Sequence, residues 1–531
     1  MHNMKRSTLY KVLEVLLGVL IGALITLSIA KYREKSHLLR AQYKDWQKLN
    51  LILDIVKKNY VDTLAVQDMT DAAISAALAK LDPHSVYLPP VQLEASEEEL
   101  AGNFDGIGIQ FNVPADTAIV LEVIAGGPSE KVGLHVGDRL LKVDDKVIAG
   151  VKFPQDSMVR RIKGPSGTKV TITVKRGNEI IPFEITRGKI PIHSVDAAFM
   201  VAPGVGYIKL SKFSRTTYKD CHEAAMKLLD EGMAKLIFDL RGNTGGYMDQ
   251  SLLLANDFLS SGDTIVYLEG LHRPKEVFKA DGRGKLQSIK LGVLMSEESA
   301  SASEIFAGAI QDNDRGLVIG RRSFGKGLVQ EPFFFSDDSG IRLTVARYYT
   351  PSGRCIQKPY GADKDYSYDI YQRYADGEIF NADSVKVDTT DVHHTRSGRI
   401  VYGGGGIMPD VFVPMDTTRA TSFFVACNRK ATQMRYASTV FDKYTARLSS
   451  IDNYADMDRF LDGLNFKVEF PAFAKSKDGI KCTEAEWDAT APYLVPQLKA
   501  LVSRYSKLSE NAFYKYYLPV DDTVTKALEA L

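Results

Sequence analysis

The sequence predicts an α/β multidomain protein, on three observations. Between 189 and about 415, runs with a strand's period alternate with runs with a helix's period, as in a sheet covered by helices. From 99 to 188 the chain is β-rich, with short apolar runs bounded by glycines. The segments 36–98 and 416–531 space their apolar residues as helices do. The 531 residues are enough for several domains, and a hydrophobic content of 45% is ordinary for folded ones.

The N-terminal stretch 1–35 is of another kind. Lys5, Arg6 and Lys11 precede a run, Val12 to Ala30, that is apolar except for Glu14. Its length is near what a bilayer core requires and long for a signal peptide, so an uncleaved membrane anchor is expected. Ser28-Ile29-Ala30 offers a small-residue cleavage site for the alternative, an exported and cut segment. Basic residues on both sides leave orientation undecided by the positive-inside rule. Lys plus Arg is 67 and Asp plus Glu is 66, which favours neither nucleic acid as a partner nor an acidic tail. Four cysteines are scattered without zinc spacing, and the 9 histidines form no ligand cluster. No metal and no organic cofactor is expected.

Within 36–98, Leu49, Leu51, Ile52, Ile55 and Val56 fall near a 3.6 period. A second helix is expected from Asp68 to Leu81, ended by Asp82-Pro83, with His84 a structural turn residue. In 99–188, KVTITVKRGNEIIPFEIT reads as a hairpin turning at Gly177-Asn178. Strands are then expected at 204–210, 235–240, 291–296 and 316–320, with helices at 218–231, 249–259 and 302–311. The polar, Tyr- and Asp-rich stretch 358–400 reads as a surface insertion. Beyond 416 the runs 421–448 and 484–508 read as helices.

The segment 299–330, SASASEIFAGAIQDNDRGLVIGRRSFGKGLVQ, carries the chemistry. A serine at a helix N-terminus stands near free N–H groups and the positive end of the dipole, which suits a nucleophile whose attack creates an oxyanion. A lysine between two glycines, if buried, loses basicity and can take the serine's proton. Ser299, Ser301 and Ser303 could each cap the helix. In FDLRGNTGG (238–246), a strand runs into paired glycines whose N–H groups could serve as an oxyanion hole. Two lookalikes fail. Gly320 to Lys326 nearly spells a P-loop, but Gly327 stands where a Ser or Thr is needed and the next residues look extended rather than helical. Ser166 to Lys169 matches SxxK but lies in a hairpin.

Segment 299–330 resembles the active-site stretch of the carboxyl-terminal processing peptidases, or tail-specific proteases. The resemblance extends to LDPHSVYLPP (81–90), FDGIGIQF (104–111), GGPSEKVGLHVGDRLLKVDDK (126–146) and FDLRGNTGG. It continues through ARYYTPSGR (346–354) and GGGGIMPD (403–410), so that it covers roughly 45 to 415 in the family's order. It implies a Ser/Lys dyad of Ser301 and Lys326 with Gln330 orienting the lysine, and an oxyanion hole of Ala302 with Gly246 or Gly245. It implies a core of the ClpP/crotonase-like type at 189–415. Residues 99–188 resemble a PDZ domain, whose Gly106-Ile107-Gly108-Ile109 loop would capture a substrate's terminal carboxylate beside an apolar final side chain. The implied function is a serine endopeptidase cleaving proteins near exposed apolar C-termini. It would be anchored in the cytoplasmic membrane of a bacterial envelope with its catalytic domains outside. An oligomer or an adaptor partner is compatible with that. The alternatives are a membrane-tethered PDZ adaptor on an inactive peptidase scaffold, and a Ser/Lys amidase acting on non-peptide substrates.

Overall fold

The computed structural model describes residues 18–23, 26–27, 44–113, 116–191, 193–361, 366–419 and 421–531. Two compact units are separable, residues 1–77 and 78–531. Helix α1 (Lys44–Asn59) lies in the first, and α2 (Val66–Leu78) ends at the boundary. On α1 the apolar residues Leu49, Leu51, Ile52 and Ile55 are exposed. Most of the expected anchor lies outside the described residues, and among those described no helix is long and apolar enough to cross a membrane.

In the second unit, an antiparallel pair forms the neck of a β-rich domain: Asn103–Gly106 against Gly188–Pro191. Between them run β1 (Ile109–Asn112), β2 (Ala118–Val123), β3 (Arg139–Val143), β4 (Lys169–Arg176) and β5 (Glu179–Thr186), antiparallel in that order. Helix α3 (Gln155–Ile162) turns Met158 and Ile162 inward. They meet Val170, Ile172 and Val174, the alternate residues of β4, as period-2 patterning requires.

The next layer is a six-stranded sheet in the order β6 (Val195–Ala202), β7 (Val205–Leu210), β8 (Lys235–Asp239), β9 (Lys290–Met295), β10 (Leu317–Gly320) and β11 (Val411–Phe412). Only the β6–β7 pair is antiparallel. Both faces are covered, so its central strands are buried along nearly their whole length rather than on alternate residues. On one face lie α4 (Thr217–Asp230), α5 (Met248–Phe258) and α6 (Ala302–Asp312), where Phe306 packs on Phe238 and Phe258 at centroid distances of 5.1 and 5.7 Å. The other face presents Tyr207, Ile237, Leu294 and Ile319.

That second face is closed by the end of the chain. Helices α7 (Ser422–Arg429), α8 (Thr432–Leu448), α9 (Tyr454–Asp462), α10 (Phe466–Asp478) and α11 (Glu484–Ser503) form a bundle with its own core around Phe423, Phe441, Phe470 and Leu494. A capping box starts α11, with Glu486 N–H donating to Thr483 Oγ1 and Thr483 N–H to Glu486 Oε2. Helices α12 (Ser509–Tyr517) and α13 (Asp522–Ala530) then leave the bundle, and Leu518, Val524 and Ala527 pack on the sheet. So the segment read from sequence as one helical region divides into two parts with different neighbours.

The bundle's core extends onto the β-rich domain. Ile119 of β2 belongs to it, and Arg139 of β3 forks onto Asp442 of α8 at 2.7 and 2.6 Å. Gly137 has φ +87°, and a Cβ there would fall 1.9 Å from the Phe441 ring, which occupies the space instead. Phe441 also stacks on Tyr505 at 4.7 Å. Phe441→Ala should therefore lower the unfolding free energy by about 3–5 kcal/mol, the usual cost of emptying a buried aromatic site, measured by denaturant titration. A loss under about 1 kcal/mol would mean the ring is not a packing element.

Candidate active site

Strand β9 delivers the chain to a tight turn, 296–301, that opens α6. Three serines of this turn and the first turn of α6 are buried and hydrogen-bonded to backbone. Ser296 Oγ accepts from Gly242 N–H, Ser299 Oγ donates to Leu240 O at 2.8 Å, and Ser303 Oγ donates to Asn243 O at 3.0 Å. Ser301 alone is partly exposed. Its backbone is at φ 56° and ψ −113°, a region that a non-glycine residue occupies only under constraint.

Glu304 supplies the constraint. It is fully buried on the first turn of α6. Its Oε2 accepts from Ser301 N–H at 2.8 Å and from Lys326 N–H at 2.9 Å. Its Oε1 accepts from Gly325 N–H at 2.7 Å and from the Ser323 hydroxyl. Burial pushes its pKa up to about 7, while the four donors favour the carboxylate. A second tie is the Tyr348 hydroxyl, which reaches the carbonyls of both Ser301 and Lys326.

Lys326 follows β10 in a loop and is held away from bulk water. Burial lowers its pKa, the nearby Arg342 charge adds to this, and Glu304 and Asp82 oppose it. Its Nζ donates to Gln330 Oε1 at 3.1 Å. Gln330 lies in the strand Leu328–Phe334, which pairs with Gly340–Tyr349 and carries a register shift at Val329/Gln330. Gln330 Nε2 in turn donates to the carbonyl of His84. Asp82 shapes that turn by accepting from the N–H groups of His84 and Ser85, both at 2.8 Å, from Ser85 Oγ at 2.6 Å and from Thr344 Oγ1 at 3.1 Å. The His84 ring meets the Tyr366 hydroxyl at 2.8 Å, and burial, with Lys326 nearby, pushes its pKa down to about 4. The His84 ring is therefore neutral, and its carbonyl is the group that reaches the site.

Most described residues of 358–400 are exposed or half-buried, as its composition suggests, but a few of its side chains reach into the site. Arg373, from the helix Asp369–Ala375, is buried and donates to the carbonyls of Ser323 and Arg322 at 3.1 and 2.7 Å. Glu378 accepts from both Arg322 and Arg373. Lys358 Nζ lies over the rings of Phe324 and Tyr366 at 3.8 and 4.2 Å. Arg373 and Glu378 pair within the stretch and Glu378 also takes the distant Arg322; paired, they brace the lysine loop from outside.

The glycine turn after β8 abuts Ser301. A Cβ on Gly245 would fall 2.8 Å from Ser301 Cβ and 2.9 Å from Ala302 N. Asn243 was unassigned in the sequence reading and organises the turn: its Nδ2 donates to Leu210 O at 3.1 Å and its Oδ1 accepts from Gly245 N–H at 2.9 Å. Gly245 N–H is thereby engaged. Among the described residues the N–H groups of Gly246 and Ala302 have no acceptor.

In the β-rich domain a groove of about 290 Å³ runs between β1 and α3. Ile107, Gly108 and Ile109 line it with Phe104, Val159 and Lys163. Gly106 does not line it; it pairs with Gly188 in the neck. Ile107 is almost wholly buried and also belongs to the domain core.

An α/β peptidase core joined to a PDZ domain is the class that this fold and site define. The model of peptidase family S41 matches residues 204–368, and that of the PDZ domain matches 106–186. A CtpA-like serine protease of Staphylococcus saprophyticus is 31% identical over 377 residues, which is 70% of this chain and 75% of that protein. One from Staphylococcus epidermidis is 32% identical over 348 residues, 64% of this chain and 70% of that protein. A solved structure, the photosystem II D1 C-terminal processing protease, aligns at 27% identity over 69% of this chain and 86% of its own, with a TM-score of 0.36; a superposition that loose adds nothing to the assignment. The chain belongs to peptidase family S41 and is a serine peptidase with a PDZ domain.

Glu304→Gln puts an amide N–H₂ among donors that need an acceptor, so kcat should fall at least about tenfold, near 1.4 kcal/mol. The lost negative charge also disfavours protonated Lys326, so the acid limb of the pH–rate profile should move to lower pH. An unchanged rate and limb would show that Glu304 is not the tie.

Proposed function

We propose that this chain is an endopeptidase that cleaves proteins near their C-termini with a Ser301–Lys326 dyad. The observation that carries the reading is a lysine of lowered pKa, hydrogen-bonded to Gln330, on a segment tied by Glu304 to the one partly exposed serine. Ser301 Oγ attacks the scissile carbonyl carbon as neutral Lys326 Nζ accepts its proton. The Gly246 and Ala302 N–H groups hold the oxyanion, and Gly245, already bonded to Asn243, does not. The lysine ammonium returns the proton to the leaving amine, and a water then releases the acyl group by the same base. Gln330, fixed by the His84 carbonyl, keeps Lys326 in one orientation.

The groove between β1 and α3 suits a substrate's last residue. Its apolar lining would take the side chain, and the Gly108 region would approach the terminal carboxylate. The apolar run Val12 to Ala30, with its basic flanks, supports an anchor in the cytoplasmic membrane, and the resemblance to the carboxyl-terminal processing peptidases supports catalytic domains on its outer side.

Ser301→Ala should abolish cleavage of a tail peptide and labelling by a serine-reactive probe, with Ser299→Ala and Ser303→Ala keeping measurable activity. Lys326→Arg should be inactive because arginine stays protonated. The wild-type rate should rise with pH through a midpoint below the usual lysine range, as the base loses its proton. Cleavage by Ser301→Ala at the wild-type rate, or an active arginine variant, would overturn the dyad. An adaptor would not be labelled at all, and an amidase would be labelled without cutting peptides.

Amidating a substrate's C-terminus, or Ile109→Asp in the groove, should weaken binding with far less effect on catalysis than loss of Ser301. Equal affinity of the full chain for acid and amide peptides would refute carboxylate capture.

A further inference from the structure

The glycine turn has little stiffness of its own. Gly242, Gly245 and Gly246 have φ of 72°, 98° and 143°, conformations that glycine adopts without cost but also leaves without cost. Its position must come from bonds to its surroundings: Gly242 N–H donates to Ser296 Oγ, Asn243 O accepts from Ala300 N–H and Ser303 Oγ, and three further pins are present. One is Asn243. Another is Phe213, whose N–H donates to Gly245 O at 3.0 Å and whose carbonyl accepts from Tyr247 N–H at 2.8 Å. Both belong to the peptidase core. The third is Arg241, and it reaches a residue 280 positions further on.

Arg241 Nη2 lies 2.6 Å from Asp239 and Nη1 lies 2.8 Å from Asp521. Its own N–H donates to Asp239 Oδ1 at 2.9 Å, and its carbonyl accepts from Lys209 Nζ. Lys209 is also 3.4 Å from Asp239, which further accepts from the Tyr207 hydroxyl at 2.8 Å. Two cations and two carboxylates are thus matched in a largely buried site. Asp521 also caps α13, accepting from Thr523 and Val524 N–H at 3.0 and 3.2 Å. That helix is seated on the sheet by Val524 and Ala527.

We propose that Asp521 is a positioning residue for the oxyanion turn, acting through the Arg241 guanidinium, so that α13 is a strut for catalysis as well as a cover for the sheet. The proposal rests on the oxyanion role assigned above to Gly246. Without Asp521 the Arg241 fork has only Asp239, which Lys209 and Tyr207 already share. The guanidinium then swings toward Asp239, and the backbone of Arg241 and Gly242 follows it. The Gly246 N–H moves relative to Ala302 N–H, which stays with α6, joined to the turn at Asn243 O rather than at Arg241. The loss falls on the transition state, where the oxyanion exists, and not on substrate binding.

Asp521→Asn isolates this role, because asparagine caps a helix as well as aspartate does but carries no charge. For the full chain, kcat on a tail peptide should fall about tenfold, short of the loss from deleting an oxyanion donor outright. KM should stay within about twofold, and the pH–rate midpoint, which belongs to Lys326, should not move. Asp521→Glu should recover part of the rate. Phe470→Ala opens the core of the separate bundle without touching Arg241 or α13; it should lower the melting temperature and leave kcat near wild type. An Asp521→Asn variant with wild-type kcat, or a Phe470→Ala variant that loses as much, overturns the strut. Ser301→Ala, run alongside, separates the failures. If it is inactive while Asp521→Asn is unaffected, only the strut falls; if it is active, the site assignment falls and the strut with it.

Discussion

The arrangement turns on one buried carboxylate. Glu304 binds the N–H of Ser301 and the N–H of Lys326 with the same oxygen, so two segments that meet only in the folded chain share one acceptor. A carboxylate deprived of water is costly unless its lone pairs are filled, and here four donors fill them. The opposition between burial and donors leaves its pKa near 7, and the gain is geometric rather than energetic. Ser323, one of the four donors, also accepts from Ile407 N–H at 2.7 Å, which brings the glycine run 403–406 against the lysine loop. Gly406 tolerates this because it has no Cβ; one would fall 2.8 Å from Ser323 O. The strained backbone of Ser301, the lysine loop and that run are thus held by contacts that begin at Glu304.

What was legible in the sequence and what was not divides along the line between side chains and backbone. Serine, lysine and glutamine announce themselves by type and spacing, and the helix at 302–311 and the strands around it follow from periodicity. Choosing among Ser299, Ser301 and Ser303 does not, because the carbonyls that engage the outer two belong to Leu240 and Asn243, on another strand's end. His84 illustrates the same limit. Its residue type invites a side-chain role, yet its carbonyl meets Gln330 and its ring is neutral and turned to Tyr366. Backbone groups carry no residue signature, so their roles appear only with coordinates. Only the resemblance put Gly246 ahead of Gly245 for this reason, and the Asn243 side chain, by engaging Gly245 N–H, separates them physically.

Charged residues misled in a second way. The polar stretch 358–400 reads as peripheral, since pattern analysis assigns charge to solvent. Glu378 in it is buried against Arg322 as well as Arg373, and most of Asp521 is buried against Arg241. Long-range ion pairs defeat periodicity because each half looks exposed until its partner is known.

The chain beyond 416 touches both ends of the protein's task. Its bundle takes Ile119 of the PDZ domain into its core, and its last helices lie behind the sheet that carries the glycine turn beside Ser301. Leu121 lines the groove between β1 and α3 and also packs against the bundle core, so the groove shares a wall with the bundle. The bundle holds the domain by β2 and β3, through Ile119, Gly137 and the Arg139–Asp442 pair. A PDZ domain on a two-strand neck alone would be free to swing; this one has a second attachment with an apolar core. Its orientation is thus a property of packing, and the C-terminal segment that supplies the packing also braces the catalytic sheet.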